Sequence, residues 1–490
     1  MTNKDERQHR SILQRIARKA MLEKGLAPDF SPQAIAELNL INIAAANNEG
    51  TAKDLRDLLW CSIDNDDSHD LDQLSAAVPK DGKSVNILVA IADVDAIVKK
   101  GSAIDDHAKN NTTSVYTAAE IFSMLPEKLS TDITSLNFDC DRLAVIIEMG
   151  ISEDGSVQNS DIYRALVKNH AKLAYNSVAA WLENNGEIPK EIGAVKGLEE
   201  NIRLQYNIAK KMKALRHTHG ALDLETIQVH PVFDGDTIKE LEVDDRNSAK
   251  ELIEDFMIAA NGVTARYLAA KNLPSIRRVV KTPKRWDRIV ELASEHNTKL
   301  PQQPDSKSLD TFLLSAKAAD AVRYPDLCLS VIKLLGPGEY VLELPGGNSE
   351  GHFGLAVKDY EHSTAPNRRF PDVITQRLLK AAMTGQPIPY STDELADLAA
   401  HCTQEEDAVK KVERLVGKSA AAMVMESKIG KEFDAIVTGA SEKGTWVRIM
   451  HPPIEGKLTG GVEGLDVGNR LRVKLIHTDS ERGFIDFKKI

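Results

Sequence analysis

The chain has 490 residues, of which 42% are hydrophobic and 28% are charged, and both proportions are typical of globular proteins. Its formal net charge of −11 argues against a general polyanion binder, although an acidic protein can still carry a local basic channel. No apolar run has the roughly 18 residues of a membrane-spanning helix, and the charged N-terminus lacks the apolar segment of a signal peptide. The four cysteines form no CxxC pair, which favours the reducing cytoplasm over a disulfide framework or a zinc site.

Residues 1–54 are predicted to form a short helical module. Apolar residues recur at helical spacing within a locally basic segment, and a second helix is expected to begin at Ser31-Pro32. Two interpretations remain open. The module is either a nucleic-acid-binding unit, for which a winged-helix-like form is one option, or a helical appendage packed on the main domain.

Five carboxylates lie within the nine residues from Asp64 to Asp72, a segment that we call the acidic loop. Like charges at this density repel one another, and a divalent cation would convert that repulsion into coordination. An extended segment from 70 to 74 would place Asp70 and Asp72 on the same face, with Leu71 pointing into the core. The loop does not fit an EF-hand, because the sixth and twelfth positions counted from Asp64 hold His69 and Ser75 instead of Gly and Glu. A hard-metal site and an ordinary solvated turn are both compatible with this spacing.

Residues 55–390 alternate between predicted strands and helices, as in a mixed α/β domain. Residues 247–270 are predicted to be a helix that begins with the capping box Ser248-x-x-Glu251. A later helix should follow Pro371 and end at Gly385. Two further helical runs are expected in the helical connection 391–427, with capping boxes at Ser391-x-x-Glu394 and Thr403-x-x-Glu406.

Residues 428–490 have the texture of a small β-barrel, with short strand-like runs separated by Gly, Pro and Asp. Three cations alternate with apolar residues in one run, and a tryptophan lies nearby in sequence; they are Arg470, Arg472, Lys474 and Trp446. A solvated outer face would explain this alternation. A surface for single-stranded nucleic acid would also explain it, because such surfaces combine cations with aromatic residues.

These segments together resemble the RNase II and RNase R (RNB) family of 3′→5′ exoribonucleases. The resemblance is carried in family order by SIDNDDSHDLDQ (62–73), VAIADVDAIVKKGSAID (89–105), HGALDLET (219–226), ELIEDFMIAANGVTARYL (251–268), HFGLAVKDYEHSTAPNRRFPDVITQRLL (352–379) and the terminal barrel. It implies an α+β fold: a mixed α/β RNB catalytic domain followed by a five-stranded S1-type OB barrel. The family's two N-terminal cold-shock barrels have no counterpart in the short segment before the acidic loop.

The resemblance also implies a role for the acidic loop. Asp64, Asp70 and Asp72 match three of the family's four active-site acids, which hold Mg²⁺, with Mn²⁺ as an alternative, at the scissile phosphate. The fourth position holds Gln73 here. Glutamine offers a neutral carbonyl oxygen, so the matched set of ligands carries one negative charge less than in the family.

Other matched positions concern the RNA. By resemblance, Arg368 is the catalytic arginine that contacts the scissile phosphate. Arg369 beside it is a candidate for substrate contact because of its charge and position. Both precede Pro371, at an expected helix N-terminus that suits an anion. Ordinary ion pairing with Asp372 is the alternative for this pair. By resemblance, Tyr116 stacks on the terminal bases and Glu254 lies near the last ribose, whereas Leu224 stands where the family has a second stacking aromatic.

Three functions follow as hypotheses. The first is a Mg²⁺-dependent 3′→5′ exoribonuclease that hydrolyses single-stranded RNA to nucleoside 5′-monophosphates, as a cytoplasmic monomer without membrane contact. The second is a catalytically weakened RNA-binding protein of the same fold, because of Gln73 and Leu224. The third is an unrelated metal phosphohydrolase that carries an RNA-binding barrel.

Overall fold

The computed structural model describes residues 8–45, 52–80, 84–244, 246–348, 350–441, 444–465 and 467–490. The chain begins with two helices, α1 (His9–Glu23) and α2 (Pro32–Leu40). Ser31 caps α2 by accepting a hydrogen bond from the Ala34 N–H, as the Ser-Pro signal predicted. Residues 8–45 contain no strand, so a winged-helix form is not seen in this part of the chain.

A seven-stranded sheet forms the centre of the next region. Its strands run in the order β1-β8-β7-β4-β3-β2-β9, and only the β1–β8 and β2–β9 pairs are parallel. Every residue from 87 to 92 in β4 is buried, so this strand lies in the middle of the core. The bounds are β1 (Lys53–Asp54), β2 (Cys61–Asp64), β3 (Gln73–Pro79), β4 (Val85–Ala92), the separate hairpin β5 (Val115–Tyr116) and β6 (Ile121–Phe122), and then β7 (Asp141–Ile151), β8 (Val157–Lys168) and β9 (Ala171–Ala174).

Helices and two hairpins surround this sheet. Apolar residues of α7 (Ser248–Ala270) and α11 (Phe370–Thr384) pack with the sheet in one hydrophobic core, among them Phe256, Val263 and Ile374. The elements are α3 (Ala103–Asn111), α4 (Tyr175–Leu182), α5 (Lys190–Gly193), α6 (Leu198–Thr218), β10 (Val229–Asp234), β11 (Thr237–Val243), α7 (Ser248–Ala270), β12 (Ser275–Val279), α8 (Trp286–Glu295), α9 (Ser306–Ala319), α10 (Tyr324–Leu335), β13 (Glu339–Glu343) and α11 (Phe370–Thr384). Within the described ranges, none of the helices is long and apolar enough to cross a membrane.

Two predicted helix starts are wrong in detail. Asn247 rather than Ser248 caps α7, because the Asn247 side chain accepts the hydrogen bond of the Lys250 N–H. The connection 391–427 is one helix, α12 (Thr392–Glu426), instead of two. The Oγ1 of Thr403 donates to the Ala399 carbonyl at 3.0 Å and accepts from the Tyr340 N–H at 2.8 Å, so it does not cap a new helix.

The C-terminal region is a closed five-stranded barrel, as predicted for an OB fold. Its order is β14-β15-β16-β18-β17, with β14 (Glu432–Ser441), β15 (Gly444–Ile449), β16 (Glu455–Leu458), β17 (Arg470–Asp479) and β18 (Phe484–Lys489). The last turns of α12 pack into the barrel core through Ala421, Ala422 and Met425. The long helix α12 therefore anchors the barrel through a shared hydrophobic cluster.

Helix α1 packs against α12 rather than standing free. Its buried residues Leu13, Ile16 and Ala17 share a hydrophobic cluster with Val412 and Val416 of α12. The described part of residues 1–54 therefore packs on the main domain, and a nucleic-acid-binding role for this module stays a prediction.

Candidate active site

The acidic loop joins β2 to β3 and is tied to the core. Leu71 is only 2% exposed, and its N–H donates a hydrogen bond to Ser135 Oγ at 3.0 Å. Ser135 Oγ in turn donates to the His69 carbonyl at 2.9 Å. Asp66 and Asp67 are exposed at the tip, whereas Asp72 is 2% exposed. The loop is therefore not a plain solvated turn, because it holds one of its carboxylates inside the protein.

Asp72 contacts a second loop, residues 365–369, which we call the arginine loop. Arg368 Nε donates to Asp72 Oδ2 at 2.9 Å, and the Asn367 N–H donates to Asp72 Oδ1 at 2.9 Å. Both carboxylate oxygens are thus engaged by the arginine loop. The structure brings together two predicted site residues, Asp72 and Arg368, that are 296 positions apart in sequence.

The arginine loop is held in place from two sides. Its Arg368 carbonyl accepts hydrogen bonds from the Ser114 N–H at 3.0 Å and from Thr113 Oγ1 at 2.9 Å. Helix α11 begins directly after it at Phe370, as the position of Pro371 predicted. Arg369 forms an ion pair with the fully buried Asp372 at 2.8 Å. The alternative of pairing with Asp372 therefore applies to Arg369, while Arg368 faces the acidic loop.

Tyr116 lies at the same site, on the short strand β5. Its hydroxyl donates to Asp70 Oδ2 at 3.1 Å, and its ring is 41% exposed. Ser68 Oγ donates to the other oxygen of Asp70 at 3.2 Å. An exposed aromatic ring fixed at its hydroxyl end is available for stacking, so the predicted base contact of Tyr116 stays a prediction that its position permits.

A cavity of about 300 Å³ opens beside these residues. The predicted residues Gln73, Glu254, Arg368 and Arg369 all line it. Asn261, seven residues after Glu254 on α7, also lines it, but its Oδ1 accepts a hydrogen bond from the Ser363 N–H at 2.9 Å. Asn261 therefore holds the segment before the arginine loop and has less capacity to read a ribose.

Tyr175 is a cavity residue that the sequence analysis missed. It is the first residue of α4 and lines the cavity together with Gln73 and Glu254. Burial raises the pKa of its phenol, and the nearby charge of Asp64 adds to this effect. Tyr175 directly follows β9, whose parallel pairing with β2 brings it to the start of the acidic loop, and no local sequence pattern signals this pairing.

Burial and the charge of Asp70 raise the pKa values of several groups at the site. Burial raises the pKa of Asp72 to about 7, with Asp70 adding to the shift and Arg368 opposing it. Burial likewise raises the pKa of Asp64, again with a contribution from Asp70. Burial and the charge of Asp70 also raise the pKa of the Tyr116 phenol. The charge of Asp70 thus disfavours ionisation of both Asp64 and Asp72, and a cation bound among these carboxylates would relieve that repulsion.

Whether the oxygen donors of this site fit a metal ion depends on how many ligands the protein itself must supply. Among the described residues, no three or more Asp, Glu, His or Cys side chains are arranged to enclose a metal ion. Asp64, Asp70, Asp72 and Gln73 are thus not a closed protein cage. Mg²⁺ is usually held by only one or two carboxylates, with waters and substrate phosphates completing its shell. The oxygen donors present fit that mode, and their assignment as ligands stays a prediction.

A second cavity of about 530 Å³ adjoins the first through Lys250, Glu254 and Leu355. Leu224 lies in its wall, so the position that lacks the family's aromatic does face open space. Glu254 shares both cavities and lies 3.5 Å from Arg246 Nη2. Glu254 therefore lies between the two cavities and lines both of them.

The barrel presents its predicted cations outward, as the alternation in β17 predicted. They are Arg470, Arg472 and Lys474. Their neighbours on β14 are acidic, because Glu432 pairs in register with Lys474 and Asp434 with Arg472. Arg472 Nη2 lies 3.5 Å from a Glu432 oxygen. This face is therefore a mixed charged surface, less strongly basic than the β17 sequence alone suggested.

Trp446 does not lie beside these cations. It pairs with Gly439 of β14, whereas Arg470 pairs with Ile436 on the opposite edge of the same strand. A role of Trp446 and the β17 cations in one continuous RNA surface stays a prediction, and the register separates them.

The segment before the arginine loop carries a buried acid with a pH-dependent consequence. Burial raises the pKa of Glu361 from its ordinary value of 4.5 to about 8. The folded protein therefore holds this proton more tightly than the unfolded chain does. The resulting stabilisation is complete below about pH 4.5 and is lost as the pH rises to about 8. Glu361→Gln keeps a neutral group at this position at every pH. As the pH rises from about 5 to 8, we therefore expect the variant to become more stable relative to the parent protein. The difference in the free energy of unfolding should grow by up to about 4 kcal/mol.

Urea unfolding at several pH values measures this difference. Glu463→Gln is the matched control, because the same substitution at an exposed site should leave the pH dependence unchanged. A Glu361→Gln effect that stays constant across this pH range would mean that the buried carboxyl group is already ionised.

Comparisons with known proteins agree with this architecture. The RNB domain family matches residues 52–385, and the RNase II-type exonuclease C-terminal S1 domain matches residues 431–490. Ribonuclease R of Thermotoga maritima is 30% identical over 488 residues, which cover 94% of this chain and 68% of that protein. Ribonuclease R of Escherichia coli K12 is 30% identical over 419 residues, covering 82% of this chain and 50% of that protein.

Ribonuclease R 1 of Lactococcus lactis is 26% identical, and the match covers 94% of this chain but 59% of that protein. The chain thus spans only about half of several curated relatives. Among solved structures, apo RNase R of Mycoplasma genitalium superposes with a TM-score of 0.86 at 22% identity, covering 97% of this chain and 77% of that one. Yeast Ssd1, a pseudonuclease, superposes with a TM-score of 0.73 at 15% identity, covering 96% of this chain and 57% of that one. The fold is therefore shared by proteins described as nucleases and by one described as a pseudonuclease.

Proposed function

Because the chain belongs to the RNB family, whose domain covers residues 52–385, we propose that it is a 3′→5′ exoribonuclease. Its substrate would be single-stranded RNA, its cofactor Mg²⁺, and its products nucleoside 5′-monophosphates. The observation that carries this proposal is the contact between Asp72 and Arg368 at 2.9 Å. It places a carboxylate suited to a hard cation next to a guanidinium suited to a phosphate.

The residues of the site would have different roles in phosphodiester hydrolysis. Asp64, Asp70 and Asp72 would hold Mg²⁺, which when bound polarises phosphoryl oxygens and lowers the pKa of an attacking water. Arg368 would bind the scissile phosphate and stabilise the charge that develops on it. Arg368 is paired with Asp72 in the described state, so it would have to leave that carboxylate to bind the phosphate.

The nucleoside at the 3′ end would be held by residues around the cavity. Tyr116 offers an exposed ring for base stacking, and Glu254 offers a carboxylate that can accept the hydrogen bond of a ribose 2′-OH. Reading the 2′-OH would favour RNA over DNA. Upstream nucleotides would contact the barrel, including Arg470, Arg472, Lys474 and Trp446.

A second candidate function is supported by specific residues. Gln73 lowers the charge of the ligand set, and Leu224 removes one aromatic from the wall of the adjoining chamber. A protein of this fold with both changes could bind RNA without cutting it, and the similarity to a pseudonuclease shows that the fold alone does not decide between the two.

Incubation with 5′-labelled single-stranded RNA and Mg²⁺ tests the proposal. A ladder that shortens from the 3′ end, and that disappears with EDTA, is the expected result. Tight binding without shortening would overturn it in favour of the RNA-binding alternative. Cleavage of small phosphoesters but not of RNA would indicate an unrelated phosphohydrolase.

Gln73→Asp probes the departure from the family pattern. An added carboxylate beside the other acids should lower the Mg²⁺ concentration for half-maximal rate by about tenfold, which is the usual size of ligand effects on metal affinity. Gln73→Asn is the matched control, since it has the same length as aspartate without its charge. An unchanged Mg²⁺ dependence in Gln73→Asp would show that this side chain does not reach the metal.

A further inference from the structure

A cavity of about 750 Å³ lies beside the second half of α11, away from the arginine loop. It is bounded by α11, by the 3₁₀ turn Val94–Ala96, by Arg164 of β8 and by residues 43–45. None of its lining residues belongs to the wall of the 300 Å³ cavity at the candidate active site. We call it the α11 groove. Its volume lies within the range of small-molecule sites, which is roughly 300–1,000 Å³.

The floor of the α11 groove is a network of buried ion pairs. Arg164 and Lys380 both contact Asp93 at 2.9 Å, and Asp93 has no exposed side-chain surface. Arg377 contacts Asp95 at 2.9 Å and Asp105 at 2.7 Å. Each of these carboxylates is therefore already matched by a cation of the network.

Lys99 is an additional cation at the edge of this network. In the described part of the chain, its ammonium donates a hydrogen bond to the Asp95 carbonyl at 2.6 Å and forms no ion pair. With Lys99, the network has four cations and three carboxylates. Burial lowers the pKa of Lys99, and the nearby charges of Lys380 and Arg164 lower it further, against the attraction of Asp95. An anion placed among these cations would relieve that repulsion.

The remaining wall of the α11 groove is largely apolar, with Lys100, Thr384 and Gln386 as its polar members. Ile97, Leu143, Met383 and Pro387 line it. A ligand that matches both parts needs an anionic group for the lysine side and a body with apolar faces and polar edges for the rest. We propose that the α11 groove binds a free nucleoside monophosphate, with its phosphate at Lys99 and its base against the apolar wall.

Methionine methyl groups make this site observable without turnover. Met383 lines the α11 groove, and Met257 lines the 300 Å³ cavity at the candidate active site. With [methyl-¹³C]methionine, titration of the full chain with 5′-AMP at constant ionic strength should shift Met383 in a saturable manner. Adenosine, which lacks the phosphate, should shift it far less. This readout does not depend on the proposed hydrolysis, so failure of one does not imply failure of the other.

Lys99→Gln should weaken 5′-AMP binding at Met383 by about tenfold, the fold-change for the loss of one charge-assisted hydrogen bond. The response of Met257 should stay as in the parent protein. Lys100→Gln is the matched control, because the Lys100 ammonium is already paired with Glu394 at 2.8 Å. The proposal is overturned if Met383 does not respond to millimolar 5′-AMP, if Lys99→Gln binds as tightly as the parent, or if only oligonucleotides shift Met383.

Discussion

Asp72→Asn is expected to reduce RNA hydrolysis by roughly 10³-fold or more, because metal assistance is worth several kcal/mol and each 1.4 kcal/mol is a factor of ten. The substitution keeps the shape of the side chain and an oxygen that can accept from the Asn367 N–H. It removes the negative charge that both a cation and Arg368 require. RNA affinity should change little, since the predicted base and barrel contacts lie elsewhere. Single-turnover rates and filter binding measure the two quantities separately.

The folded protein should tolerate this change. Because burial raises the pKa of Asp72 to about 7, a neutral group at this position costs little near neutral pH. Asp66→Asn is the matched control, because it removes a carboxylate from the same acidic loop at an exposed position. Its turnover should be close to that of the parent protein. Turnover that survives in Asp72→Asn, or that is lost equally in Asp66→Asn, would contradict the assignment of Asp72.

The local parts of this site could be predicted from the sequence. The acidic loop was visible as a cluster of carboxylates, and Leu71 was correctly expected in the core. The start of α11 after the arginine loop followed from Pro371. These features depend on neighbouring residues only, which a sequence displays directly.

Contacts between segments that are distant in the chain could be predicted from the sequence only in part. The resemblance proposed that Asp72 and Arg368 share a site, but their direct contact depends on how β3 and α11 pack. Tyr175 was missed because its place follows from the parallel pairing of β9 with β2, which no local pattern reports. Thr403 was misjudged because a strand from another part of the chain, through the Tyr340 N–H, uses its hydroxyl. In each case, a contact with a distant part of the chain decided the outcome, and the local sequence does not show such contacts.

The electrostatics of the barrel show the same limitation. The cationic alternation in β17 was correct, but closure of the barrel sets Glu432 and Asp434 beside it. A strand's charge can be read from its own sequence, whereas the charge of a surface depends on its neighbours. The RNA contact proposed for this face should therefore be weaker than three unopposed cations would give.

Arg368→Ala should lower the rate of hydrolysis by roughly 10³-fold, the lower end of the effect of an arginine that stabilises a transferring phosphoryl group. The loss should fall on the rate constant more than on RNA affinity, because the charge that Arg368 stabilises develops in the transition state. Arg368→Lys should recover little of it, since an ammonium cannot reproduce the planar fork of the guanidinium.

The pH dependence of these two variants separates two roles of Arg368. Arg368 lowers the pKa of Asp72, so its removal should raise that pKa above about 7. A proton would then compete with the cation at neutral pH, and Arg368→Ala should need more Mg²⁺ at pH 7 than at pH 9. Arg368→Lys keeps the positive charge and should show a smaller shift despite its low rate. If both variants share one Mg²⁺ profile with the parent protein, Arg368 does not act on Asp72. If Arg368→Ala keeps the parent rate, the phosphate contact assigned to Arg368 is wrong, and the contact between the two loops serves the fold alone.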